Sequence, residues 1–230
     1  MLGALEGMGY GDSVARFIAE DGWEVPQVEL LEAAVRRDPA DPLNGARCEV
    51  IQAMRRGFLE PGRWQVSHRW KEASIFAQAW RAGVPVTVHP GIGYDIITNH
   101  PMFSGAALGR GGGKDFEVFC GAVSGLEGGV VFSVGSAVMG PQVFEKSVSC
   151  VNNVRLQRGA SVLSGHRVVV VDVQDGGGWD WTVGEPPKSN PAYYLRFCKS
   201  YSRMGGVMDY LQVDNVVFAR HLLAALEGGA

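Results

Sequence analysis

Lys199 lies inside the aromatic stretch Tyr193-Tyr-Leu-Arg-Phe-Cys-Lys-Ser-Tyr201. A lysine partly withdrawn from water has a lowered pKa, and its free amine is the form that makes a Schiff base. The plainer alternative is a lysine at a helix end whose ammonium reaches water along its own stem. His89 and Asp95 bound the loop His89-Pro-Gly-Ile-Gly-Tyr-Asp95, a polar pair able to hold a cationic amine or accept a proton. Otherwise His89 closes a strand end and Asp95 caps a short helix from Ile96. Gly135-Ser136 follows an apolar run, where bare backbone lets a phosphate or ribose approach N–H groups at the positive end of the next helix. A tight structural turn would use the same glycine. Asp214 ends a further apolar run, and the five histidines are scattered without metal-ligand spacing.

The elements that would position these residues alternate from Trp70 onward. A helix over Lys71–Arg81 closed by Gly83 leads to an expected strand, Val84-Pro-Val-Thr-Val88. A helix near Asp115–Leu126 and a Gly128-Gly129 break lead to Val130–Val134. A helix over Gln142–Arg158, stopped by Gly159, leads to Arg167–Val173. Asn190 can cap a helix from Pro191, Val207–Gln212 reads as a strand, and Asp214 can cap a last helix through Leu226. Continuous β-branched runs are expected of strands buried on both faces, hence of a parallel sheet covered by helices. The predicted fold is α/β: a Rossmann-like, doubly wound, mostly parallel sheet with helices on both faces. Ligands of such folds bind at the carboxyl ends of the strands, where His89, Gly135, Asp172 and Asp214 fall.

Residues 1–69 carry no strand signal and predict helices over Ser13–Glu20, Pro26–Arg37 and Ala46–Arg56, with a rigid turn at Asp38–Pro42. The expected organisation is one domain over 1–230, with a helical part at 1–69 and an α/β core at 70–226. The glycine-rich stretch from Gln174 to Asn190, with Trp179 and Trp181, is too long for a simple connection and is expected to be functional or at an interface. Composition is that of an ordinary globular protein. The net charge of −3 disfavours nucleic-acid partners, and no apolar run is long enough to span a membrane. No export signal is legible, and Cys48, Cys120, Cys150 and Cys198 are widely spaced without a C-x-x-C pair. Reduced, mostly buried thiols in a cytoplasmic protein are expected.

The order of these segments resembles the deoxyhypusine synthase family from Trp70 to Leu226. Glu72-Ala-Ser-Ile-Phe-Ala-Gln-Ala-Trp-Arg-Ala-Gly-Val-Pro-Val86 is similar to the family's helix and strand before the substrate loop, and Gly91-Ile-Gly-Tyr-Asp95 resembles that loop. Gly128-Gly-Val-Val-Phe-Ser-Val-Gly-Ser-Ala-Val-Met139 resembles its apolar strand and glycine turn, and the following helix ends near Asn152-Asn153. Phe197-Cys-Lys199 stands in place of the family's Trp-Gly-Lys catalytic motif, eleven residues before Tyr210. Met139-Gly-Pro141 stands where the family has a histidine, and Tyr193 where it has an acidic residue before the lysine.

The resemblance implies an aminobutyl transferase using NAD. A polyamine such as spermidine is oxidised to an imine, a lysine captures the butylamine unit, and that unit passes to a protein lysine or a small amine. Lys199 would be the catalytic lysine. His89, Asp95 and Phe197 would contact the polyamine or diamine, and Gly135, Ser136 and Asp214 would bind the cofactor. Assembly as a homodimer or homotetramer is also implied, and tryptophan's enrichment at interface hot spots points to the loop with Trp179 and Trp181 as an intersubunit face. The alternative is a non-catalytic nucleotide-binding or assembly module on the same scaffold.

Overall fold

The computed structural model describes residues 1–136 and 138–228, with the backbone alone of Arg196 and Phe197. The contact expected of the Phe197 side chain therefore lies outside the described residues. The chain divides into two compact units, Met1–Phe119 and Cys120–Ala230, so the division falls well beyond residue 69.

The first unit holds helices α1 (Tyr10–Ala19), α2 (Val28–Arg37), α3 (Asn44–Arg55) and α4 (Ile75–Ala82), and most of α5 (Gly105–Ser124). The wholly helical beginning expected over 1–69 is corrected here. Strands β1 (Gly22–Val25) and β2 (Gly62–Gln65) pair antiparallel, Gly22 opposite Gln65 and Val25 opposite Gly62. Four residues give too little alternation to be read as a strand, and their partners lie some forty positions apart. Gly22 has φ 130°, and a Cβ there would stand 2.0 Å from the Trp64 carbonyl oxygen, so only glycine lets β1 approach β2 this closely. Trp23 and Val25 point inward from β1 and join Leu31, Val50, Ile51 and Leu59 in the unit's core.

The helix expected over Lys71–Arg81 is interrupted: a short 3-10 turn (Lys71–Ala73) precedes α4, whose first turn is capped by Ser74 Oγ accepting from Ala77 N–H. The strand expected at Val84–Val88 is not formed. The segment runs outside any ladder, and Pro85 has no N–H to give one. Val86 N–H donates instead to Asp12 Oδ1 at 2.9 Å and Val88 N–H to Asp115 Oδ2 at 2.8 Å. Two carboxylates thus take the place of a neighbouring strand.

In the second unit β3 (Val130–Val134), β4 (Arg167–Asp172) and β5 (Val207–Gln212) form a parallel sheet in the order β3-β4-β5, with Val170 opposite both Ser133 and Tyr210. Helices α6 (Met139–Gln157), α7 (Arg196–Ser202) and α8 (Asn215–Gly228) complete it. Ser133 and Phe132 point to opposite faces of β3. Tyr201 of α7 donates its hydroxyl proton to Ser133 Oγ, and Phe218 of α8 packs its ring 5.6 Å from that of Phe132. The central strand is buried as its β-branched run predicts, with Val168, Val170 and Val171 each at 2% exposure or less. The edge strand is not: Val130, Phe132 and Val134 all stay exposed, so burial on both faces is corrected for β3. An edge strand has a neighbour on one side only, and α8, which buries no residue, covers it thinly.

The loop from Gln174 to Asn190 folds back on its own unit. Trp181 is 2% exposed with Nε1–H donating to the Gly176 carbonyl, and Trp179 Nε1–H donates to the Gly184 carbonyl. Of the two tryptophans expected to stand out from this loop, Trp181 is buried and anchors it, whereas Trp179 is half-buried. All four cysteines are free thiols, and Cys198 alone is buried, against an expectation of mostly buried thiols. Among the described residues no helix is long and apolar enough to cross a membrane.

Candidate functional site

At the carboxyl edge of the β3-β4-β5 sheet the turn after β3 meets the start of α8. Gly135 leaves β3 with φ 70° and its N–H donates to the Val171 carbonyl, continuing the ladder by one bond. A Cβ on Gly135 would stand 2.5 Å from the Asn215 side-chain nitrogen, so the turn after β3 meets the first residue of α8. Asp214 lies beside that meeting point, and its Oδ1 accepts from the N–H groups of Val216 and Val217. Ser136 Oγ accepts from Gly140 N–H at 2.8 Å in the first turn of α6. The structure thus brings Gly135, Ser136 and Asp214 to one edge, each with a structural task.

Whether this edge suits NAD can be judged from those tasks. Gly135 leaves the backbone bare, an amide faces it, and α6 begins there with its positive end at the sheet's carboxyl edge, all features that favour a pyrophosphate. The N–H groups of Gly140, Val216 and Val217 are already engaged by Ser136 and Asp214. The fit is to the glycine turn and the Asn215 amide rather than to a ring of unengaged donors.

Lys199 sits on α7. Its Nζ stands 3.1 Å from the centre of the Tyr193 ring and 3.7 Å from Glu185 Oε1. Both are surroundings that suit a cation. Glu185 is shared: Arg203 donates to both of its oxygens at 2.7 Å, and this bidentate bond is the main reason its carboxyl is held below the ordinary range. The neighbouring Cys198 is pushed up to about 12, first by burial and then by the charge of Asp172. It is a packed thiol rather than a nucleophile. Tyr210 is also pushed up to about 12, by burial first and then by Asp172. Its hydroxyl donates to the Gln174 carbonyl, and its ring packs on Gly176, which ties the long loop to β5.

Sequence reasoning missed Glu185 as a partner of Lys199. The two are fourteen positions apart, in a loop without periodicity, and the available signal was only that the loop is long. Tyr193, read as the place of a missing acid, instead offers its ring face to the ammonium.

His89 and Asp95 belong to the first unit. The His89 ring stands edge-on to Phe119, centroids 5.3 Å apart, with Nε2 3.2 Å from Thr87 Oγ1. Burial lowers its pKa, and the nearby Asp115 charge opposes the shift. Asp95 accepts from Gly91 N–H through Oδ2, closing its own loop, and its carbonyl accepts from Thr98 at the start of the 3-10 turn Ile96–Asn99. Neither does quite what the plainer reading assigns: no strand precedes His89 for it to close, and Asp95, although it stands before the 3-10 turn, spends its side chain on Gly91 N–H rather than on capping that turn. Asp115 is the more buried acid of this region at 1% exposure, and burial raises its carboxyl although the Val88 and Gly11 N–H groups oppose this. Among the described residues no group of three His, Cys, Asp or Glu is placed to hold a metal ion.

Compared with known protein families, with characterised proteins and with solved structures, the chain matches none.

Proposed function

We propose that this chain is a deoxyhypusine synthase-like transferase that carries an aminobutyl group from a polyamine, through an imine on Lys199, to a protein lysine or a small amine. The observation that carries the reading is that Lys199 on α7 stands between a carboxylate and an aromatic face. Those are the groups that receive a cationic amine, and a polyamine ammonium can exchange with Lys199 for Glu185 and Tyr193. Freed from Glu185, Lys199 gives a proton to solvent, adds its nitrogen to the imine carbon of the oxidised polyamine and expels the remaining amine, which takes a proton up as the carbon–nitrogen bond breaks. The acceptor amine then displaces Lys199 in the same way. NAD, held at Gly135, Ser136 and Asp214, would supply the hydride acceptor and donor. In this reading the sheet is the core of a Rossmann-like, doubly wound fold, and the protein works in the cytoplasm as a homodimer or homotetramer.

The test is borohydride trapping with NAD and spermidine or putrescine, followed by peptide mass spectrometry. An adduct on Lys199 that is lost in Lys199→Arg is expected. No adduct with any of several polyamines overturns the mechanism.

One observation favours the second reading, a non-catalytic nucleotide-binding or assembly module. The Glu185 carboxylate binds Arg203 bidentately as well as facing Lys199, an arrangement that also serves to staple the loop to α7. NAD binding by calorimetry without any Lys199 adduct is the outcome this reading expects.

A further inference from the structure

We propose that the first unit binds a neutral, largely apolar small molecule of one or two rings, in a cavity of about 410 Å³ bounded by Tyr10, Phe17, Trp23, Trp64, Met102 and Phe103. The site is separate from the lysine site of the second unit and does not rest on the transferase reading. One wall is the unit's own core, since Leu2, Trp23 and Leu59 belong to both.

Size is the first argument. The space is a partly open cleft against the core, with room well beyond a few water molecules. An apolar cavity of about 150 Å³ already takes up benzene, and small-molecule pockets run from roughly 300 to 1,000 Å³. A volume of 410 Å³ therefore admits a bicyclic molecule with room for a short substituent.

Charge is the second. No Asp, Glu, Lys or Arg side chain lines the cavity; Met1 does, but burial lowers the pKa of its amino group and so favours the uncharged amine, and an ion placed there would lose its hydration for little counter-charge. Ring faces and the thioethers of Met8 and Met102 offer instead the polarizable surface that aromatic ligands favour. Few polar atoms address the space. Ser13 Oγ donates to the Gly9 carbonyl, Ser104 Oγ accepts from Ala107 N–H, and His100 Nδ1 accepts from Met102 N–H. Tyr10 and His100 line the cavity, and neither the Tyr10 hydroxyl nor His100 Nε2 is hydrogen-bonded among the described residues, so either can serve one hydrogen-bonding substituent.

The experiment titrates the full chain with N-phenyl-1-naphthylamine, an uncharged probe that fluoresces in apolar surroundings. Saturable binding near one equivalent is expected, with energy transfer from tryptophan and a raised thermal midpoint. Neutral 1-naphthol should displace the probe and 1-naphthalenesulfonate should not. Ala107→Phe, which places a ring in the cavity, should weaken the probe by about tenfold or more without lowering the thermal midpoint. Should that variant fold poorly, Trp64→Phe decides: at saturation the energy transfer from tryptophan to the bound probe falls, whatever the change in affinity. Unsaturable binding, equal displacement by the sulfonate, unchanged affinity in a folded Ala107→Phe, or undiminished transfer in Trp64→Phe would each overturn the proposal.

Discussion

Val84-Pro-Val-Thr-Val88 and Val168-Val-Val-Val171 are both short runs of β-branched residues, yet one stands outside any sheet and the other is the centre of one. The difference lies in where their backbone donors go. In β4 every step of the run has a parallel neighbour on each side, and alternate side chains enter opposite layers. In the first unit Pro85 removes one donor, and the N–H groups of Val86 and Val88 are met by the carboxylates of Asp12 and Asp115. Gly11 allows this approach, since a Cβ there would stand 2.0 Å from the Val86 carbonyl oxygen. Buried backbone groups must be paired, but the partner need not be another strand.

Removing a carboxylate is the strongest way to break the comparison. Asp115 accepts from both Gly11 and Val88 N–H while almost wholly buried. Asp115→Ala orphans both donors and should cost about 2–5 kcal/mol in urea unfolding, whereas Asp115→Asn, which keeps an oxygen acceptor, should cost much less. The same pair of variants has a pH signature. Burial holds the folded carboxyl above its ordinary range, so the unfolded chain releases that proton at lower pH. The contribution is full below the unfolded value and is lost as pH rises through the folded one, a slope that Asp115→Asn should remove.

Side-chain packing gives a smaller effect of opposite emphasis. Val170→Ala in the buried middle of β4 should cost about 2 kcal/mol, from the lost transfer of two methylene equivalents plus the space left behind. Val86→Ala should cost less than about 1 kcal/mol, because that segment is secured through its backbone and Val86 is only half-buried. Equal costs at the two positions would show that the extended segment is packed like a strand after all.

The smallest effect concerns His166, just before β4. Its ring is 1% exposed, lies beside Phe144, and has neither nitrogen hydrogen-bonded within the described residues. Burial lowers its pKa, so the unfolded chain takes up the proton first as pH falls below about 6.5. Stability is expected to decline through that range and through the folded value below it. His166→Leu should flatten the decline and cost little at pH 8, where the buried ring is neutral and unpaired. An unchanged pH profile would show that another group governs it.

Much of the second unit was legible because local rules and tertiary surroundings agree there. The runs at Val130, Val168 and Val207 are strands, Asp214 caps α8, and Asn190 caps the 3-10 turn from Pro191. Gly83 ends α4 in the left-handed conformation, as a helix-stopping glycine should. The β1-β2 pair was not legible, since it joins two four-residue pieces across α2 and α3. The candidate site was read only in part. Lys199 drew notice through its aromatic neighbours, but Glu185 reaches it from a loop whose course depends on Trp181 and Tyr210.

By itself the sequence determined which segments can be helices, which runs can be strands, and where glycine and capping residues end them, because these follow from φ preferences and from donors within a few positions. Only the tertiary structure decided which donors pair with which acceptors over long separations. That choice set Val84–Val88 against two carboxylates instead of a strand, left β3 exposed at the sheet's edge, and drew Lys199 to Glu185 and Tyr193. Each turns on burying a polar group only where a partner awaits it, a condition that no local stretch of sequence contains.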